Sequence, residues 1–500
     1  MEPTTLRMPV THALATPRRK AHLIGVCGSG MRALTELLLG LEWTVSGSDL
    51  QKPSPAVQLF TRRGLTFHET HDAQHVPADA DCVVYSPAVP ASNPERQAAE
   101  RHGIPQFSYN EMLGRLMAER AGVCIAGTHG KSTTTAMTGC ILSDAGRQPS
   151  VVIGAELCAT GQSAWSGTGE NFVVESCEFQ RNFLAFHPKY AAILSVETDH
   201  VDCFESLHDL QQAFAEFAGQ VSADGTLLVR GDCEATRQVT EQAAANVVTF
   251  GWSSDLDWWA GDLRRTADGM RFRVYHHSQY FSEISVPIPG RHNVLNALAA
   301  TALCHEIGVG PREIRESLQD FGGIRRRFEF VGQWRGVTII DDYAHHPTAV
   351  MATLQTAREM FGSRRIWCAF QPHQVSRTVA LMSDFATSFT AADNVLIAPA
   401  FAAREVVDTE PGTVSAELAE RICSQGQSAK FCESLDHLIA TLEDRLKPGD
   451  VLITMGAGNI DCVHHAFTRR ISRNPASRRA FGAVHLAEAG WTRAVLPHSA

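Results

Sequence analysis

One short run of residues limits what this chain can fold into more than any other. Val123-Cys124-Ile125-Ala126-Gly127-Thr128-His129-Gly130-Lys131-Ser132-Thr133-Thr134-Thr135 reads as a buried strand, a glycine-containing loop and a helix start. Such a loop turns backbone N–H groups toward phosphate, and the helix N-terminus favours negative charge. Lys131 adds a point charge for the outer phosphates, and the Ser132 hydroxyl suits Mg2+. The loop departs from the strict P-loop pattern, because Ile125 stands where a glycine is expected. A Gly/Thr-rich turn capping a helix would account for Gly127 and Thr128 but not for the Lys131-Ser132 pair. We therefore read a nucleoside triphosphate site.

A chain of 500 residues exceeds one ordinary core and predicts about three domains. Strands alternate with helices, which implies mostly parallel sheets. The first block, 21–122, opens with the strand Ala21–Val26, the glycine turn Gly28-Ser29-Gly30 and the helix Met31–Leu41. The strands Trp43–Val45 and Asp81–Tyr85 follow. The second, 123–332, starts at the phosphate loop and holds the strands Phe172–Glu175 and Ala191–Val196. A β-like stretch runs over 225–289, and the helices Asn293–Ile307 and Pro311–Leu318 close the block. The third, 333–470, has the strands Val337–Ile340, Arg365–Phe370, Asn394–Ala398 and Val451–Met455, each ending at a polar or glycine-rich loop. Ligands gather at such strand ends in open α/β sheets. Residues 1–20 read as a flexible leader without the apolar core of a signal peptide. The Arg/Pro/Ser-rich residues 471–500 read as a tail.

The net charge of −10 argues against a nucleic-acid or anionic-membrane binder. No run approaches the roughly 18 apolar residues that cross a membrane. Thirteen scattered cysteines form no CxxC pair, which favours reduced thiols in a cytoplasmic setting.

Chemistry-bearing residues cluster at strand ends. Gly25-x-x-Gly28-x-Gly30 with Asp49 about 20 residues later suits a dinucleotide or a UDP-type diphosphate. Glu175 and Glu178 follow one central strand; Glu197, Asp199, His200 and Asp202 follow the next. Carboxylates plus an imidazole beside a phosphate loop suit Mg2+ or Mn2+. In Gly290-Arg291-His292-Asn293-Val294-Leu295-Asn296, Asn and His can contact a purine, but taken alone the motif is better explained by helix capping. Arg325-Arg326-Arg327 can neutralise phosphate as arginine fingers do, or form a solvated basic turn. Asp341-Asp342-Tyr343-Ala344-His345-His346-Pro347 follows a third-block strand, and Gln371-Pro372-His373 with Arg377 follows another. Arg377 can hold a carboxylate in a bidentate pair.

Together with Ser46-Gly47-Ser48-Asp49 and Gly456-Ala457-Gly458-Asn459-Ile460, these motifs over about residues 20–465 resemble the Mur ligase family. The resemblance implies three α/β domains: a Rossmann-like UDP-sugar domain, a central P-loop ATPase-type domain and a Rossmann-like amino-acid domain. It implies ATP-dependent addition of L-alanine to the lactyl carboxylate of UDP-N-acetylmuramate through an acyl phosphate, for peptidoglycan precursor synthesis. Gly28, Ser29, Gly30, Asp49, His71 and Ser86 would surround the UDP. Gly127, Thr128, His129, Gly130, Lys131, Ser132 and Thr133 would cradle the ATP phosphates. Ser132 and Glu178 would hold one Mg2+ (or Mn2+), and His200 a second. His292, Asn293 and Asn296 would contact adenine. Arg327 and Asp342 would touch phosphate and ribose, and His346 and Arg377 would lie near the alanine.

Two features of the chain bear on this reading. Glu175-Ser176-Cys177-Glu178-Phe179-Gln180 keeps Glu178 but lacks two acids that the family often carries there, which bears on metal affinity. His208–Phe217 lacks the lysine that sister enzymes carbamylate, as the alanine-adding type does. Pro399–Glu405 bears on amino-acid choice. The rival readings are a tripeptide-adding recycling ligase, a nucleotide-dependent oxidoreductase built on the first glycine turn, and a non-catalytic nucleotide-binding protein.

Overall fold

The computed structural model describes residues 18–266, 269–403, 405 and 410–468. The tail 471–500, Arg404 and most of the leader lie outside the described residues. Among those described, three β-sheets form.

The first sheet runs in the order β3-β2-β1-β4-β5. Its strands are β1 (Lys20–Ile24), β2 (Thr44–Ser48), β3 (Thr66–His68), β4 (Cys82–Tyr85) and β5 (Gln106–Ser108), and every pair is parallel. The order reverses at β1, so a crevice opens at the carboxyl ends of β1 and β4. Gly25 turns the chain there with φ of +90°, and a Cβ would sit 2.9 Å from the Ser86 Cβ. β2 lies further along the chain than the expected Trp43–Val45, reaching Ser48 and so carrying Asp49 to the sheet edge.

The central sheet holds β6 (Ala121–Ala126), β7 (Ser150–Val152), β8 (Ala164–Trp165), β9 (Asn171–Glu175), β10 (Tyr190–Ile193), β11 (Thr226–Arg230), β12 (Asn246–Gly251), β13 (Trp258–Thr266), β14 (Gly269–His276) and β15 (Gln279–Val286). Its order is β15-β14-β13-β12-β11-β10-β6-β9-β7-β8. The phosphate loop leaves β6 in the middle of the sheet, between β9 and β10, whose ends carry the acidic residues. Beyond β12 the sheet turns antiparallel, with β13, β14 and β15 forming a meander. The meander closes over the helix Arg291–Glu306 around a buried Trp258. Valines and isoleucines of β6 and β9 pack against the helix Lys131–Asp144 in the same core.

The third sheet, ordered β16-β17-β21-β18-β19-β20, holds β16 (Glu329–Trp334), β17 (Val337–Asp342), β18 (Ile366–Phe370), β19 (Asn394–Ile397), β20 (Ala429–Phe431) and β21 (Val451–Met455). Only β16 is antiparallel to its neighbour. β18 shows why continuous apolar strings mark such strands: Ile366, Cys368 and Phe370 enter one core, Trp367 and Ala369 the other.

The first compact unit runs to Met112. From Leu113 the chain packs with the central domain: Gly114 lies against the Ala185 carbonyl, and the Met117 sulfur lies 3.9 Å from the Cys124 thiol. The third sheet begins at Glu329, inside the stretch expected to finish the central block, because β16 pairs with β17.

Candidate active site

In the first unit, Asp49 ties the glycine turn to β2. Its carboxylate accepts the Cys27 N–H at 2.8 Å and the Gln51 N–H at 2.9 Å. Gly28 caps the helix Ser29–Gly40, and Gly30 sits against the Tyr109 ring, 3.1 Å from where a Cβ would be. Gly28, Ser29, Gly30, Asp49 and Ser86 thus border one crevice. The His71 Nδ1 lies 2.9 Å from the Ser48 Oγ and 3.2 Å from Glu95. Glu95 was not anticipated. It is fully buried at a helix start and faces His71 and His75 at 3.2 Å and His22 at 3.6 Å. Burial pushes its carboxyl up, but His22, Ser48 and His71 more than reverse that and hold it at about 2.

The phosphate loop is shaped by two left-handed glycines. Gly127 has φ of +129°, and a Cβ there would meet the Leu194 and Ser195 amide nitrogens at 2.9 Å. Gly130, at φ of +82°, caps the helix Lys131–Asp144. A side chain on Gly130 would strike the Asn296 amide, so its absence lets the helix Arg291–Glu306 approach the loop. Thr128 and His129 are pinned to the next strand's end: the Thr128 N–H donates to the Ser195 carbonyl at 2.9 Å, and the His129 N–H to the Ser195 hydroxyl at 3.0 Å. Thr133 is buried in the first helical turn.

Lys131 points across the loop to Glu178, which it reaches at 2.9 and 3.0 Å, and it also donates to the Gly127 carbonyl at 2.5 Å. Burial would lower its pKa, but Glu178 outweighs that and raises it. Ser132 does not meet Glu178. Its hydroxyl donates to Glu175 at 3.0 Å, and Glu175 also accepts the Gly154 N–H at 2.7 Å. The His200 Nε2 lies 3.7 Å from Glu178, with the residue held at φ of +51°.

Asn293 and Asn296 bind each other at 3.1 Å, and Asn293 donates to the Pro289 carbonyl at 2.6 Å. The His292 ring folds back over Gly290, and burial lowers its pKa to about 4. Arg327 and Arg326 both lie over the Tyr343 ring, at 5.1 and 5.0 Å. Arg326 is committed to Asp341 at 3.1 Å and to the Gly456 carbonyl at 2.7 Å. Asp342 staples two loops, accepting the Phe328 N–H at 2.7 Å and the Ala344 N–H at 2.8 Å. Burial raises its carboxyl to about 6.

The third sheet's loops meet the central domain's strand ends. The Arg377 Nε donates to Asp199 at 2.7 Å, with side-chain exposures of only 2% and 6%. Burial would raise the Asp199 pKa, but the guanidinium holds it well below the usual carboxylate range. The remaining Arg377 nitrogens face His373 at 3.3 Å and His200 at 3.5 Å. Arg377, which was expected beside a substrate carboxylate, therefore already carries one from the protein. The His346 Nε2 donates to the Thr198 carbonyl at 2.9 Å. Its neighbour His345 packs beside Tyr343 and His373, and burial drives its pKa well down. His345, His373 and Tyr343 stand in the motifs, but only packing shows that they line this cluster.

The Mur ligase family catalytic domain matches residues 20–121, the Mur ligase middle domain 125–304, and the Mur ligase glutamate ligase domain 326–458. The UDP-N-acetylmuramate–L-alanine ligase of Desulfitobacterium hafniense (strain Y51) is 39% identical over 450 residues, covering 88% of this chain and 97% of the relative. The chain belongs to the Mur ligase family. Its three sheets are the three domains of that family, and Mur ligases depend on ATP. Among solved Mur ligases, the UDP-N-acetylmuramate–alanine ligase of Thermotoga maritima superposes with a TM-score of 0.76 at 26% identity, over 91% of this chain and 99% of that one. A murein peptide ligase from Psychrobacter arcticus 273-4 gives 0.67 at 25% identity, over 90% and 98%.

Proposed function

We propose that this Mur ligase joins L-alanine to the lactyl carboxylate of UDP-N-acetylmuramate at the expense of ATP, in the cytoplasm. The observation that carries the reading is the meeting of the phosphate loop, with Lys131 and Glu178, and the strand-end cluster Asp199, His200, His345, His373 and Arg377. A carboxylate must be activated at the loop and an amine delivered from the cluster. The 39% identity to a ligase named for these substrates supports the choice.

A lactyl carboxylate oxygen attacks the γ-phosphorus of ATP, the bond to the β-phosphate oxygen breaks, and ADP leaves. The neutral amine of alanine then attacks the acyl carbon, and phosphate departs with the former carboxylate oxygen. Lys131 would exchange Glu178 for the β- and γ-phosphate oxygens. Loop N–H groups would hold the phosphate chain and restrict attack to one line. Asn293, Asn296 and His292 would border the adenine, and Arg327 would add positive charge from the third domain. His345, whose Nδ1 donates to the Tyr343 carbonyl at 2.8 Å, would offer its other ring nitrogen as a hydrogen-bond acceptor for the alanine amine. The Arg377 nitrogens beyond Asp199, with His346 nearby, would position the alanine carboxylate.

The donor set around the loop, with carboxylates of Glu178 and Glu175, the Ser132 hydroxyl and one imidazole, fits Mg2+ or Mn2+. Ser132 and Glu178 would hold one ion, with Glu175 in reach of Ser132, and His200 a second. Bound there, the metal would shield phosphate charge.

The test is phosphate release from ATP with Mg2+ and UDP-N-acetylmuramate, supplying L-alanine, glycine, L-serine or a tripeptide in turn, with the product identified by mass. Release strongest with L-alanine and a matching mass gain is expected. Release only with tripeptide would assign the recycling reaction instead, and no turnover from folded, ATP-binding protein would sink the catalytic reading.

A further inference from the structure

A second cluster stands where the phosphate loop meets the third domain, and the ligation chemistry makes no use of it as a unit. One nitrogen from each of His129 and His346 and one oxygen of Glu197 lie within 4.8 Å of one another. The His129 Nε2 is 3.3 Å from the Glu197 Oε2, and the two imidazole rings are 4.9 Å apart. Each comes from a different place: His129 from the phosphate loop, Glu197 from the loop after β10, His346 from the cap of the helix Pro347–Phe361.

The surroundings are those of a ligand set. A metal-binding imidazole commonly gives its other N–H to a carbonyl, which fixes the tautomer and aims the free nitrogen. His346 does this, donating from Nε2 to the Thr198 carbonyl at 2.9 Å. Its Nδ1 accepts the backbone N–H of Thr348 at a long 3.4 Å, a helix-cap contact that a cation would displace. Glu197 is held in turn by the Thr348 hydroxyl, which donates to Oε2 at 2.7 Å. Its carboxylate stays charged, because His129 and Thr348 outweigh the upward push of burial and hold it at about 2. Two imidazoles and one carboxylate form a donor set unlike the oxygen-rich one at Glu178. Nitrogen-rich sets of three suit borderline metals such as Zn2+ or Co2+, with a position left for water.

We propose that His129, Glu197 and His346 form a separate transition-metal site that clasps the central domain to the third. A cation there ties the phosphate loop to the helix Pro347–Phe361, which favours the arrangement in which the two domains touch. Because His129 belongs to the phosphate loop, the clasp also restrains the loop itself.

The experiment needs no turnover, so it stands apart from the substrate assignment. Co2+ is titrated into the full-length, tag-free chain without nucleotide, following its visible d–d absorbance, and Zn2+ is measured by equilibrium dialysis. One equivalent of each is expected. Glu197→Gln and His346→Gln, checked for folding by circular dichroism, are expected to weaken binding by more than tenfold. Thr348→Ala keeps all three ligand side chains and guards against misfolding of the ligand variants; losing its hydrogen bond to Glu197 is expected to weaken binding by roughly 10–100-fold. Glu178→Gln is expected to bind as wild type. Absence of visible bands, unchanged affinity in all three cluster variants, or loss of the bands in Glu178→Gln would each overturn the proposal.

Discussion

Replacing Asp199 by asparagine removes the carboxylate that holds Arg377, and the structure sets the size of the effect. The pair is 2.7 Å apart and almost wholly buried. At an effective dielectric of about 20 the gross attraction is about 6 kcal/mol. Desolvation of both ions offsets much of it, so the pair's net contribution is small, but removing one partner strands the other. The guanidinium would be left facing His373 and His200, at a cost of about 3–5 kcal/mol. Arg377→Met should cost a similar amount, because Asp199 would keep only the His200 N–H at 2.7 Å among these partners. The double variant should lose far less than the sum. The assay is urea unfolding followed by tryptophan fluorescence, to which Trp334 of β16 and Trp367 of β18 report from the third sheet. Strict additivity, within about 0.5 kcal/mol, would refute the argument. The sign with pH is fixed as well. A carboxyl depressed in the folded state contributes fully above its unfolded value near 4 and loses that contribution only as pH falls through its folded value. The Asp199→Asn deficit should therefore be the same at pH 5.5 and 7.5.

Lys131→Met should lower ATP-dependent phosphate release by about 1,000-fold, by analogy with the loss of other transition-state charge partners; a fall of less than tenfold would remove Lys131 from the phosphate path. Glu95, depressed to about 2, contributes stability that is complete above about pH 4.5 and lost as pH falls toward 2. Glu95→Gln should abolish that part of the acid sensitivity in circular-dichroism melts at pH 3 and 7, and an unchanged pH difference would count against it. Trp258→Ala should destabilise the central domain by about 3–5 kcal/mol, since Trp258 is fully buried beneath the meander; a loss below 1 kcal/mol in urea unfolding would contradict its place in the core.

Local chemistry was legible in the sequence and long-range pairing was not. The phosphate loop announced itself because strand, left-handed glycines and helix start are consecutive. The acidic groups after β9 and β10 were visible for the same reason. What Lys131 and Ser132 touch was not visible, since Glu178 and Glu175 lie more than 40 residues away and either could have served either partner. The Asp199–Arg377 pair spans 178 residues and exists only because two sheets meet. Glu95 stayed hidden because Pro94-Glu95-Arg96-Gln97 reads as a solvated helix start; nothing local shows that three histidines gather around it. The two adjacent histidines after β17 also divide unpredictably. His346 reaches the central domain, while His345 turns into the Tyr343 and His373 cluster, and motif reading alone favoured the first.

The grip of Glu178 and the Gly127 carbonyl on Lys131 has a consequence for selectivity. Any anion arriving at the loop competes with partners the ammonium already has. A free phosphate or sulfate offers only an exchange of one ion pair for another and gains little. A nucleotide brings further contacts along the loop and at its base, and only such a ligand clears the threshold. On the proposed reading the loop would be screened against the abundant small anions that share ATP's charge, and its affinity for ATP would understate the strength of the contact that Lys131 makes once it has changed partners.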